Sequence, residues 1–118
     1  MLAEKIAVTP AKRRERGPGA RLCAEVMALS EGCATIVSRQ EAAWASITFT
    51  GKRHTLRVVF DGPEAAEAGE RMIAALPDHE FTIPGQLVAD ATIREVDHRL
   101  LPDERLEVAI DVLMLDEG

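Results

Sequence analysis

Two short clusters hold most of the residues that could do chemistry: Asp78, His79 and Glu80 in "PDHE", and Glu95, Asp97 and His98 in "EVDHR". Imidazoles and carboxylates together can ligate a divalent cation or divide acid and base work, provided the fold brings them into one place. His79, Glu80, Asp97 and His98 are therefore the candidate metal-ligating or catalytic set. Neither cluster has two histidines at the i, i+4 spacing that puts both on one helix face. Both also stand where an element ends, and polar residues gather at such places for solvation alone. On that weighing the sequence assigns no catalytic residue and no metal.

No nucleophile is framed either. Ser30, Ser38 and Ser46 lack a GxSxG turn, and neither Cys23 nor Cys33 has a neighbouring base that would hold it as a thiolate. There is no GxGxxG and no GxxxxGK[ST] to cradle phosphates, so no cofactor is expected. The balance is against an enzyme.

The stretch "TPAKRRERGPGAR", Thr9 to Arg21, raises a different chemistry, as does the tripeptide "GKR" before His54. Lys12, Arg13, Arg14 and Arg16, with Lys52 and Arg53, are the candidate anion-binding residues. Charge is split along the chain: residues 1–21 carry six Lys/Arg against two Glu, residues 22–118 eight Lys/Arg against eighteen Asp/Glu, and the total is −6. A body that repels phosphate, with aromatic residues at only 3%, argues against a nucleic-acid surface and leaves it as the alternative. The basic segment reads as a flexible leader that docks on acidic surface of its own domain or of a partner.

A third set points to contact with another protein. Trp44, the single tryptophan, falls opposite Ile47 and Phe49 on a two-residue alternation, and Leu113 and Leu115 fall with Glu107 and Asp111, on the face that ought to be wet. Trp44, Leu113 and Leu115 are the candidate partner-binding residues, with self-association as the expected contact.

The elements that must position these residues can be read from periodicity. A chain of 118 residues with 47% hydrophobic content buries one core, so we expect a leader over 1–19 and a single domain over 20–118. "ARLCAEVMALSEG" places Leu22, Val26 and Leu29 at helical spacing, with Gly32 past its end. "CATIVSR", "WASITFTG" and "HTLRVVFDG" read as three strands, the last two turning at Gly51 to Arg53. "DGPEAAEAGERMIAALPDHE" is a helix with Pro63 in its first turn and Pro77 at its stop, burying Ala65, Ala68, Met72 and either Ile73 or Leu76. "HEFTIPGQ" is a short extended piece. "LVADATIREVD" and "RLEVAIDVLML" alternate as a final hairpin whose second strand buries Leu106, Val108, Ile110, Val112 and Met114.

The expected fold is α+β: an antiparallel sheet of about five strands with two helices packed on one face, in the order α-β-β-β-α-β-β. No apolar run reaches the length of a membrane span and the N-terminus has no secretory h-region, so no membrane association is expected. Two widely spaced cysteines suit a reducing compartment, the cytoplasm. The sequence therefore reads as a small cytoplasmic binding or interaction module that self-associates. The alternatives are a nucleic-acid accessory protein using the basic leader and a small metal-dependent hydrolase.

Overall fold

The computed structural model describes residues 17–117. Helix α1 (Pro18–Leu29) opens with proline, whose fixed backbone angle suits the first turn, and continues through residues of good helix propensity. It stops because Glu31 and Gly32 both adopt positive φ, 61° and 73°. The Ser30 hydroxyl closes the last turn by donating to the Met27 carbonyl at 2.7 Å. Strands β1 (Thr35–Ala45) and β2 (Thr50–Asp61) form a hairpin, followed by α2 (Pro63–Ala75) and a 3-10 turn (Leu76–Asp78). A second hairpin, β3 (Gln86–Arg99) and β4 (Arg105–Asp116), completes the chain.

All pairings are antiparallel and the sheet order is β1-β2-β4-β3. The two hairpins thus join side by side through β2 and β4. Each hairpin follows its own helix, and both helices cover the same face: Leu22 and Val26 of α1 and Ala66 and Met72 of α2 share one cluster with Leu56, Val58, Phe60, Leu106 and Ile110. The β4 alternation is as the sequence requires, with Leu106, Val108, Ile110, Val112 and Met114 all essentially inaccessible.

The α+β class holds, while the strand count and order differ from expectation. There are four strands in the order α-β-β-α-β-β, where about five in the order α-β-β-β-α-β-β were expected. "CATIVSR" and the start of "WASITFTG" belong to one continuous strand, bent by a register shift between Ile36 and Ser38 that displaces Val37. The turn lies at residues 46–49, closed by the Ser46 N–H to the Phe49 carbonyl (2.8 Å) and the Phe49 N–H to the Ser46 hydroxyl (3.1 Å). Gly51 is not a turn glycine. It lies within β2, where an added Cβ would run into the Met114 carbonyl and stand 2.9 Å from the Leu115 Cα.

The buried line of α2 is the expected one at Ala68, Met72 and, just past its end, Leu76, and departs from it only in its first turn. Ala66, Ala68, Gly69 and Met72 are enclosed, whereas Ala65 is only partly so. Gly69 sets this orientation, since a Cβ there would lie 2.5 Å from Leu106 Cδ2 and 2.8 Å from Phe60 Cδ1. The helix comes down on the sheet at its smallest residue. In β3 a shift between Val88 and Asp90 makes Val88, Ala91 and Ile93 share the helix side and takes Ala89 out of the simple two-residue alternation. Of "HEFTIPGQ", residues 79–85 run outside the sheet, turning at Gly85 (φ 81°) with the Gln86 N–H bonded to the Ile83 carbonyl at 3.0 Å, and Gln86 begins β3.

Candidate interaction surface

With both helices on one side, the other face of the sheet has no covering layer among the described residues. Its chemistry can be read row by row from the register. One row is Ser38, Arg57, Ala109, Glu95. The small Ala109 in its middle lets Arg57 reach across β4 to Glu95 (3.0 Å) while also meeting Glu107 (3.1 Å), and these carboxylates raise the guanidinium pKa further. Ala109 is buried in the row that the ion pair spans. The next row, Gln40, Thr55, Asp111, Thr92, is likewise polar and partnered: the Thr55 hydroxyl donates to Asp111 at 2.9 Å, and Arg94 approaches the same carboxylate at 3.7 Å.

Toward the 46–49 turn the face changes character. Ala42, Arg53, Leu113 and Asp90 form one row and Trp44, Gly51, Leu115 and Leu87 the last. Gly51 opens the same kind of gap as Ala109, here between an indole and a leucine. Leu115 is only 7% exposed although it lies on the uncovered face, while Leu87 is 50% exposed. Beyond this row the turn carries Ile47, 102% exposed, and Phe49, 50% exposed. One end of an otherwise polar sheet face is therefore apolar, and its hairpin tip is apolar as well.

The three residues singled out for partner contact, Trp44, Leu113 and Leu115, are brought together here. Ile47, Phe49 and Leu87 were not anticipated. With a turn at Gly51–Arg53, Ile47 and Phe49 fall inside a strand on the face opposite Trp44; the turn at residues 46–49 moves both to the tip. Leu87 carries a signal, since it immediately precedes the apolar Val88, but only the register opposite Leu115 gives it a neighbour.

The other candidates disperse. Lys12, Arg13, Arg14 and Arg16 lie outside the described residues. Lys52 and Arg53 sit within β2 rather than at a tip, and alternation sends them to opposite faces. Lys52 pairs with Glu41 at 3.2 Å, a bond that lowers the Glu41 pKa. His79 Nε2 donates to Glu25 of α1 at 3.0 Å, and Glu80 is exposed beside it. At the far end of β3, His98 Nε2 meets Glu104 at 2.7 Å on the helix side, while Asp97 stands opposite Glu107 on the other face. Adjacent strand residues point apart, so the two clusters do not assemble. Among the described residues no three His, Cys, Asp or Glu side chains are grouped so as to hold a metal ion.

His54 is the remaining titratable group of interest. It is 2% exposed on β2 beside a recess of about 300 Å³ that also includes Gly17, Gly19 and Glu41, and its Nδ1 has no hydrogen-bond partner among the described residues. Burial is the main cause that lowers its pKa, opposed by the nearby Glu41 carboxylate. A neutral imidazole there is a core side chain with one unsatisfied atom.

Fold and surface together define a two-layer α+β protein with one sheet face uncovered among the described residues, polar over most of its area and apolar at one end. No family model, curated protein or solved structure matches the chain. No helix of the described residues is long and apolar enough to cross a membrane.

Proposed function

We propose that the protein is a non-enzymatic interaction module that self-associates through the apolar end of the sheet face opposite α1 and α2. The observation that carries this reading is the row Trp44, Gly51, Leu115, Leu87 continued by the exposed Ile47 and Phe49. A solvated sheet face gains nothing from apolar residues, and a contiguous group of them beside a satisfied polar field has the composition of an interface core with its rim. The polar rows favour a second copy as partner, because they present Arg53, Arg57 and Arg94 together with Glu95, Glu107 and Asp111, both signs on one surface. Two free thiols, Cys23 partly buried and Cys33 exposed, fit a cytoplasmic setting.

Sedimentation velocity over a range of concentrations, read together with the emission of the single tryptophan, tests the proposal. Association is expected to raise the sedimentation coefficient and shift Trp44 emission to shorter wavelength. I47D/F49D is expected to keep the protein monomeric with an unchanged circular dichroism spectrum. A wild-type chain that stays monomeric up to near-millimolar concentration, with constant emission, refutes it.

A further inference from the structure

A second surface, meeting the apolar face at Leu87, runs along the outer edge of β3. An open groove of about 700 Å³ has the consecutive strand residues 86–91 as one wall and the segment from Leu76 to Pro84 as the other. β3 is an outer strand of the sheet, so alternate backbone N–H and C=O groups along it point away from β4, and among the described residues no strand pairs with them. The facing wall is held in place. Glu25 of α1 accepts both the Thr82 N–H at 2.9 Å and His79 at 3.0 Å, and the His79 ring stands edge-on to Phe81 with centroids 4.5 Å apart. The lining is apolar at Phe81, Ile83 and Val88 and acidic at Glu80, Asp90 and Glu117.

The occupant is indicated by where the described chain begins. Gly17 lines the recess beside His54, and so does Gln86, which is also the first strand residue of the groove. Sixteen residues precede Gly17. Residues 10–16 hold four Lys/Arg, Lys12, Arg13, Arg14 and Arg16, and residues 4–9, "EKIAVT", set Ile6 and Val8 on one side of a two-residue alternation. Seven extended residues reach about 23 Å, enough to bring residues 4–9 opposite the strand segment 86–91, which is about 20 Å long. Charge favours the same meeting: residues 1–16 carry +3 and the remainder of the chain −9.

We propose that residues 4–9 of this chain add to the outer edge of β3 as a fifth strand, seated in the groove against Phe81 and Ile83. A chain running toward Gly17, and hence toward Gln86, runs against the direction of β3, so the pairing is antiparallel. The register shifts at Val88/Asp90 and Ile93/Glu95 break the edge into short pieces. The first of these falls inside residues 86–91, so the edge accepts a short segment that can follow the bend more readily than the long, straight edge of another copy.

Nuclear magnetic resonance on the full-length, isotopically labelled chain tests this. Backbone contacts between residues 4–9 and 86–91 are expected. In I6D/V8D the outward-pointing amides among residues 86–91 are expected to exchange at least about tenfold faster, while those at the centre of β2 and β4 keep their rates and report an intact fold. Unchanged exchange at residues 86–91 in I6D/V8D overturns the proposal. Contacts that appear only between differently labelled molecules in a mixed sample overturn it too, assigning the groove to a second copy's leader.

Discussion

Replacing His54 by leucine probes the interior where the two hairpins meet. His54 lies on β2 between Glu41 of β1 and Val112 of β4, and its unpartnered Nδ1 is buried. An unsatisfied buried polar atom costs about 1–3 kcal/mol, and an apolar side chain of similar size recovers part of that, so H54L is expected to stabilise the fold by about 1 kcal/mol at neutral pH. The pH dependence has a definite sign. Unfolded histidine titrates near 6.5, and burial lowers the folded value below this. Above the unfolded pKa neither state is protonated and the stability is fully present. As the pH falls below it, the unfolded chain takes up a proton that the folded chain refuses. Stability is then lost, with a slope of at most about 1.4 kcal/mol per pH unit, down to the folded pKa. Glu31, Glu41 and Asp116 also have lowered pKa values, but as carboxyls they release their contribution only at pH values below 4.5. Urea unfolding between about pH 8 and pH 5 in an H79Q/H98Q background, which leaves His54 as the remaining histidine, isolates the effect. Stability is expected to fall toward acid in that background and to stay flat once H54L is added. A background flat over this range, or an H54L variant less stable than its parent, refutes the burial argument.

Gly69→Ala is expected to destabilise by about 1 kcal/mol, because the helix-propensity gain of about 1 kcal/mol is outweighed by about 2 kcal/mol of overpacking against Phe60 and Leu106; thermal unfolding measures it. Gly51→Ala is expected to cost more, since its methyl group meets the backbone of β4 rather than side-chain ends, and the loss of cooperative unfolding is the readout. Met72→Ala removes an inaccessible core side chain and is expected to lower the unfolding free energy by about 2–5 kcal/mol in urea titration. Arg57→Met is expected to narrow its stability difference from wild type as sodium chloride is raised, because the bonds to Glu95 and Glu107 are accessible to solvent and therefore screened.

How much of this was legible beforehand varies by element. The helix-facing side of β4, Leu106 to Met114, was, because a central strand covered on one side writes that burial into alternation; the burial of Ala109 and Leu115 on its other face was not. α2 was legible in extent, from Pro63 to the break at Pro77, and in its buried Ala68, Met72 and Leu76, but not in the choice between Ala65 and Ala66: both offer the same methyl group, and the choice is made by Gly69 against Phe60 and Leu106. The first hairpin was misread at its turn, since "GKR" has the composition of a turn and "SITF" does not, and only pairing with β4 reveals that Gly51 is needed inside a strand.

What the sequence determined by itself is local: the extent of α2, where α1 ends, which side of β4 is dry, and that Trp44, Leu113 and Leu115 fall on the side away from the core alternation. These follow from periodicity and backbone preference, which act over a few neighbouring residues. The tertiary structure alone decided that Trp44 and Leu115, 71 positions apart, share a row across Gly51, and that His79 and His98 end on separate carboxylates. Strand order and bulges choose which distant residues face each other, and that choice rests on packing the whole core at once.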